Sequence, residues 1–211
     1  MCLLRHVALS TVRRLSLYLQ FLEECERQGL ATVSSRALAE RGGSTPAQVR
    51  KDLSFFGSFG KRGIGYPTTE LAARIRAILG LGRHYRVIVV GAGRIGAALA
   101  CYPGFDDRGF HIDAIYDVDP AKVGRALDGR VVRDIIHLED DVRRSPADVA
   151  VIGTPAEPAQ AIADRLVSAG IRAILNFASV TLVVPPDVTV ANVNMAMELE
   201  ALAFALTWER A

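Results

Sequence analysis

Between residues 87 and 117 the chain carries a pattern that few folds accommodate. Val87-Ile88-Val89-Val90 is a continuous apolar run of the kind buried on both faces of a parallel sheet. Gly91-Ala92-Gly93-Arg94-Ile95-Gly96 follows at once, matches GxGxxG, and opens a helix at Ala97-Ala98-Leu99-Ala100. A second apolar strand ends at Asp117, 21 residues after Gly96. The glycine motif alone is weak evidence. Strand, glycine turn, helix and acid in this order form the fingerprint of a dinucleotide-binding βαβ unit.

Each position has a physical task. Gly91 permits the tight turn, Gly93 lets the backbone approach a pyrophosphate, and Gly96 lets the helix pack close to the strand. The helix start offers free N–H groups and a positive dipole end to phosphates. Asp117 is expected to accept hydrogen bonds from the adenosine ribose hydroxyls and to repel a 2′-phosphate. That favours NAD(H) over NADP(H), although Lys122 and Arg125 nearby weaken the argument. Gly153-Thr154-Pro155 follows the next strand, where Rossmann loops approach the nicotinamide half. An ordinary strand-to-helix turn is the competing reading there.

The downstream grammar agrees. Strands are expected at Ile112–Tyr116, Val149–Ile152, Ala173–Phe177 and Val188–Val193, with a helix at Ala156–Ala169. Strands alternating with helices imply an α/β domain with a doubly wound parallel sheet. Residues 195–208 (MAMELEALAFALTW) read as a helix too apolar to be covered within one small domain.

The first 86 residues differ in charge. They hold 14 Lys and Arg against 6 Asp and Glu, a balance of +8, whereas residues 87–211 hold 11 against 17, a balance of −6. A basic half joined to an acidic half implies that only one of them meets a polyanion. Val12, Leu15, Leu19 and Leu22 form the stripe of a helix over 11–28, stopped by Gly29. A short helix follows Ser34 or Ser35 as N-cap and ends at Gly42-Gly43. Thr45-Pro46 starts a third, running to about Phe56, with Thr as N-cap and Pro at N1. The glycine-rich stretch 56–66 is expected to be a small β-ribbon turning at Lys61-Arg62-Gly63. A connecting helix covers 69–79, and the boundary falls near Gly82–Tyr85.

Residues 32–56 read as helix, glycine turn, helix, with the ribbon after them as a wing, a winged helix-turn-helix whose second helix enters the major groove; an ordinary three-helix packing unit with a solvated basic face is the competing reading. Val49, Leu53 and Phe56 form its buried stripe, leaving Thr45, Ala47, Gln48, Arg50, Lys51 and Ser54 outward. Gln48 and Arg50 suit base edges, Lys51 a phosphate or guanine, and Lys61 and Arg62 at the ribbon tip a narrow A·T minor groove.

Other classes recede. The three cysteines, Cys2, Cys25 and Cys101, are widely spaced and form no CxxC, against a zinc site or a disulfide framework and in keeping with a cytoplasmic location. No apolar run reaches the roughly 18 residues of a membrane span. Met1–Leu9 lacks the apolar region and cleavage site of a signal peptide. The four histidines sit in no proton-relay motif, so no catalytic residue is assigned and a ligand sensor is favoured over an enzyme. The alternatives are an NAD-dependent oxidoreductase with an unusual N-terminal domain, and a DNA-binding dimer that holds NAD permanently.

The stretches TPAQVRKDLSFFGSFGKRGIGY (45–66), VIVVGAGRIGAALA (87–100), YPGF (102–105), YDVDPAKVG (116–124) and AGIRAILNFA (169–178) resemble the Rex family of bacterial redox-sensing transcriptional repressors. The resemblance implies residues 1–84 as a winged-helix DNA-binding domain and 85–194 as an NAD(H)-binding Rossmann domain. Residues 195–211 become a dimerisation helix that swaps onto the partner subunit. It implies a homodimer that binds an A/T-rich inverted-repeat operator and releases it when NADH binds. It also places Tyr102 beside the nicotinamide. The candidate cofactor residues are then Gly91 to Gly96, Tyr102, Asp117, Val118 and Lys122, joined by Thr154, Pro155, Asn176, Phe177 and Asn194. The candidate DNA residues are Thr45, Gln48, Arg50, Lys51, Lys61 and Arg62; no metal is assigned.

Two positions depart from the family pattern. Gln20 and Asn194 stand where family members carry an Arg and an Asp that pair across the dimer, and Met195 replaces a bulky aromatic. A Gln–Asn hydrogen bond lacks the Coulomb term. A weakened or rewired redox response is expected.

Overall fold

A computed structural model of the chain describes residues 7–60 and 64–208. The expectations for Lys61 and Arg62, for Cys2 and for most of the Met1–Leu9 segment lie outside the described residues. The chain divides into two compact units between Arg83 and His84.

The first unit contains α1 (Leu9–Arg27), β1 (Thr32–Val33), α2 (Ser35–Arg41), α3 (Pro46–Ser54), β2 (Tyr66–Pro67) and α4 (Thr68–Ile78). On α1, Leu15, Leu19 and Leu22 are buried as their spacing predicts, while Val12 is only half-buried and Thr11, Tyr18 and Cys25 complete the stripe. Gly29, at φ +72°, ends the helix. The Leu30 N–H then reaches back to the Cys25 carbonyl at 2.9 Å, a Schellman closure. The Ser34 hydroxyl accepts from the Ala37 N–H to start α2, and Thr45 accepts from the Gln48 N–H to start α3 with Pro46 at N1. Val49 and Leu53 enter the core with Leu71 and Ile75; Phe56 only packs against it, because α3 ends at Ser54.

The β-ribbon expected within 56–66 is not formed by the described residues of that stretch. Tyr66–Pro67 pairs instead with Thr32–Val33, antiparallel. The reason is local: Gly57, Gly60 and Gly65 all take positive φ, and a Cβ at Gly60 would crowd the Gly65 carbonyl. Such a backbone folds on itself rather than extending into a ladder.

The second unit contains β3 (Tyr85–Val90), α5 (Arg94–Ala100), β4 (Phe110–Asp117), β5 (Ala126–Leu127), β6 (Arg130–Asp134) and α6 (Leu138–Arg144). It continues with β7 (Val149–Ile152), α7 (Ala156–Ser168), β8 (Ala173–Asn176), β9 (Thr189–Asn192) and α8 (Met195–Trp208). The sheet order is β5-β6-β4-β3-β7-β8-β9, parallel throughout except for the short edge strand β5. Leaving out β5, the six parallel strands follow the 3-2-1-4-5-6 order of a dinucleotide-binding fold. Alternate residues of β3 feed two cores. Ile88 and Val90 pack with Tyr116, Leu138 and Leu166; Val87 and Val89 pack with Ala100, Ile115 and Val151. The sheet is thus covered on both faces, as its unbroken apolar strands require.

α8 differs from every other helix. None of its residues is buried, and Met195, Leu199, Leu202, Phe204 and Trp208 are each about 60% exposed or more. Among the described residues no helix is long and apolar enough to cross a membrane.

Candidate functional site

Strand order reverses between β3 and β7, and the glycine motif lies at the carboxyl ends of these strands, where open α/β sheets form their ligand crevice. Gly91 has φ +104°, and a Cβ on it would lie 2.9 Å from the Gly153 carbonyl group and from the Thr154 methyl. A Cβ on Gly96 would overlap the Gly91 carbonyl oxygen. These glycines allow the β3 turn, the β7 turn and α5 to touch. Gly93 has another role: it is the N-cap of α5, no side chain caps it, and a Cβ on it would meet nothing of this chain. Space is thus left open beside the first turn of α5, where a phosphate fits.

Asp117 is 7% exposed and does more than wait for a ribose. One of its oxygens accepts from the Ala92 N–H at 2.7 Å and from Lys122 Nζ at 3.1 Å; the other accepts from the Asp119 N–H at 2.9 Å. Burial pushes this carboxyl up, but the Asp119 N–H, Lys122 and the Ala92 N–H outweigh it and hold the group below the usual Asp range. Asp117 therefore clamps the glycine turn to β4. An ionised carboxylate has about four lone-pair sites, so room for a hydroxyl remains.

The other candidates sort by surroundings. Thr154 Oγ1 is buried without a hydrogen-bond partner, on the side chain whose methyl faces Gly91. Pro155 caps α7. Val118, Ile95 and Tyr102 are exposed, and Tyr102 meets Phe105 edge-on at 5.1 Å. Phe177 is half-buried, its N–H bonded to Ile152. Asn176 has no exposed surface, and its amide is spent on Ala178, Val180 and Asn192. It ties β8 to β9 and to the loop after β8. Asn194 Oδ1 accepts from the Ala196 N–H at 3.0 Å, capping α8. Gln20 is exposed on α1.

On α3, Thr45, Arg50 and Lys51 are exposed, and Arg50 Nη1 donates to Ser35 Oγ at 3.2 Å. Gln48 is not simply outward: it is half-buried and donates from Nε2 to Asp52 Oδ1 at 2.7 Å. Asp52 is the residue that pattern reading missed. It has no exposed surface and takes both ends of the Arg14 guanidinium at 2.7 Å, the Tyr18 hydroxyl at 3.1 Å and the Thr11 hydroxyl at 3.4 Å. Burial pushes its carboxyl up, and the bonds from Arg14, Gln48 and Tyr18 more than reverse this, leaving it below the usual range. The signal was present: Thr11, Tyr18 and Asp52 are polar residues inside otherwise apolar stripes.

Among the described residues no group of three His, Cys, Asp or Glu is placed to hold a metal ion. His84 and His111, read separately from the sequence, form an exposed chain with Asp106 at 2.6 and 2.7 Å.

Residues 6–54 match a family described as putative DNA-binding protein N-terminus, and residues 83–180 match the CoA binding domain family. The redox-sensing transcriptional repressor Rex of Desulfitobacterium hafniense is 46% identical over 96% of this chain and 96% of its own length. The protein of the same description from Carboxydothermus hydrogenoformans is 45% identical over 92% of this chain and 94% of its own. Among solved structures, RSP in complex with NAD+ and operator DNA gives a TM-score of 0.91 at 39% identity, covering 97% of this chain and 94% of that one. RSP in complex with NADH gives 0.89 at 37% identity, with 97% and 96% covered.

Proposed function

The chain belongs to the Rex family of redox-sensing transcriptional repressors, and we propose that it binds operator DNA as a homodimer which NADH releases. It is a sensor rather than an enzyme: the Rossmann unit binds NAD(H) without turning it over. Residues 1–84 supply the DNA-binding part, 85–194 the cofactor part and 195–211 the dimerisation helix. A repressor of this kind works in the cytoplasm.

The observation that carries the reading is the crevice at the strand-order reversal. Gly91, Gly96 and Gly153 are packed shut against each other, whereas Gly93 is open at the start of α5. NAD(H) fits this cradle. The N–H groups after Gly93 take the pyrophosphate, Asp117 takes the adenosine ribose, and Thr154, Pro155 and the exposed ring of Tyr102 serve the nicotinamide half. Within α3, Arg50 and Lys51 face a duplex with Thr45 and Gln48, and Lys61 and Arg62 extend the contact to the minor groove. Asn176 acts from behind, as a strand tie.

Switching needs the oxidised and reduced cofactor to favour different dimer arrangements. A hundredfold change in operator affinity takes about 2.7 kcal/mol of coupling. Gln20 and Asn194 make that coupling weaker than an Arg–Asp pair would. Gel shifts on an A/T-rich inverted repeat across NADH:NAD+ ratios test the reading. Release by NADH and retention with NAD+ are expected; binding indifferent to the ratio refutes it.

A further inference from the structure

The Asp52 cluster is more elaborate than a helix-to-helix tie requires. Gln48 is the third residue of α3, and Thr45-x-x-Gln48 spells a capping box, in which the glutamine side chain normally returns to the N-cap N–H. Only half of the box is made: Thr45 accepts from the Gln48 N–H at 3.2 Å. The Gln48 side chain runs the other way, to Asp52. Asp52 is ionised and doubly bonded by Arg14, so it only accepts. The amide therefore cannot flip without setting its Oε1 against a carboxylate oxygen. Its nitrogen is held inward, and Oε1 and the second N–H remain uncommitted.

We propose that Asp52 is a positioning residue for base reading, locking the Gln48 amide so that Oε1 and the remaining N–H pair with N6 and N7 of one adenine in each half-site. The proposal rests on the reading of α3 as the recognition helix. Adenine alone shows a donor beside an acceptor in the major groove; guanine shows two acceptors, cytosine one donor, and thymine an acceptor and a methyl. A free glutamine rotates to suit what it meets. A locked one sets its oxygen against guanine O6 and refuses it, and it loses less side-chain freedom on meeting adenine. Arg14 holds the lock by keeping Asp52 charged and compensated.

The test uses the full-length protein and an inverted-repeat duplex, read by fluorescence anisotropy. Each adenine is replaced in turn by purine, which lacks the N6 amino group, or by 7-deazaadenine, which lacks N7. At one adenine per half-site both replacements should weaken wild-type binding about tenfold. Gln48→Ala should lose that sensitivity. Asp52→Asn should lose most of it with Gln48 still present, because an Asn amide turns to suit either orientation, and should leave the salt dependence unchanged. If Asp52→Asn melts early, Arg14→Met/Asp52→Asn removes both charges together and leaves neither unpaired. A flat adenine profile in specifically binding wild type overturns the proposal alone, as does an unaltered profile in Gln48→Ala. A wild-type profile in a folded Asp52 variant reduces Asp52 to a structural tie. Failure of the wild type to bind any duplex specifically overturns the repressor reading as well.

Discussion

The second unit builds its candidate phosphate site from what side chains leave out: three glycines in mutual contact, a fourth left open, and the N–H groups at the start of α5. The first unit presents its candidate DNA contacts as side chains, and beneath them lies a buried network in which one carboxylate takes bonds from four residues. A backbone site is fixed once the sheet forms. A side-chain site needs its own internal scaffold, and Asp52 is that scaffold. The charge split agrees with this contrast: residues 87–211, which carry the glycine crevice, have a net −6, whereas residues 1–86, which carry the candidate guanidinium and ammonium contacts, have +8.

Two glycine substitutions probe the backbone site most severely. Gly96→Val should destabilise the second unit by about 3 kcal/mol or more, since overpacking typically costs about 1–3 and this clash is with backbone. Gly93→Val should leave the melting curve within about 0.5 kcal/mol of wild type and yet abolish NADH binding. Equal melting of the two variants, followed by chemical denaturation, would erase the distinction between packed and open glycines.

Removing the scaffold is the next largest perturbation. Asp52→Ala leaves Arg14 without its partner and should cost about 2–4 kcal/mol, somewhat less than a fully buried pair because Arg14 reaches solvent. A pH series sharpens this. The folded-state carboxyl lies below its unfolded value of about 3.9, so its stabilisation is complete above that pH and drains away as pH falls through the lower folded value. The stability gap between wild type and variant should shrink in that acid window. A gap constant from pH 6 to pH 2 would mean that charge has no part in it.

Asp117→Asn lies between the two kinds of site, since a side chain here holds the backbone turn. An amide oxygen facing the Ala92 N–H and Lys122 survives, while the repulsion of a 2′-phosphate is lost and the Asp119 N–H loses its acceptor. The preference for NADH over NADPH should fall about tenfold, about 1.4 kcal/mol, in parallel calorimetric titrations. The smallest change expected is from Gln20→Arg with Asn194→Asp. Asp caps a helix as well as Asn does, so folding should be neutral, and an exposed ion pair adds about 0.2–1 kcal/mol to the NADH response. An unmoved NADH midpoint would detach these positions from switching.

The same contrast decides what could be read in advance. Glycine spacing announces a turn because only glycine suits it, so the βαβ crevice and its acid were legible. The parallel strands were legible from their apolar runs, to within a residue or two at most ends. The Asp128-Gly129 hairpin between β5 and β6 carried its own signature, two adjacent residues at positive φ, and was overlooked because the edge strands flanking it have no apolar run. The ribbon was misplaced because the partner of Tyr66 lies more than thirty residues earlier, at Val33. The inward turn of the Gln48 amide, the strand tie made by Asn176 and the hub at Asp52 went unread for one reason: residue type and helical phase do not reveal which way a polar side chain turns.

α8 carries a further consequence. A helix with Met, Leu, Phe and Trp around its whole circumference and none of them covered is costly in water for a lone chain. If the homodimer covers α8, that cost is removed, and the melting temperature should climb with protein concentration. Dilution below the pairing concentration should then lower stability as well as operator occupancy, linking how much of the chain is made to how firmly each copy is folded.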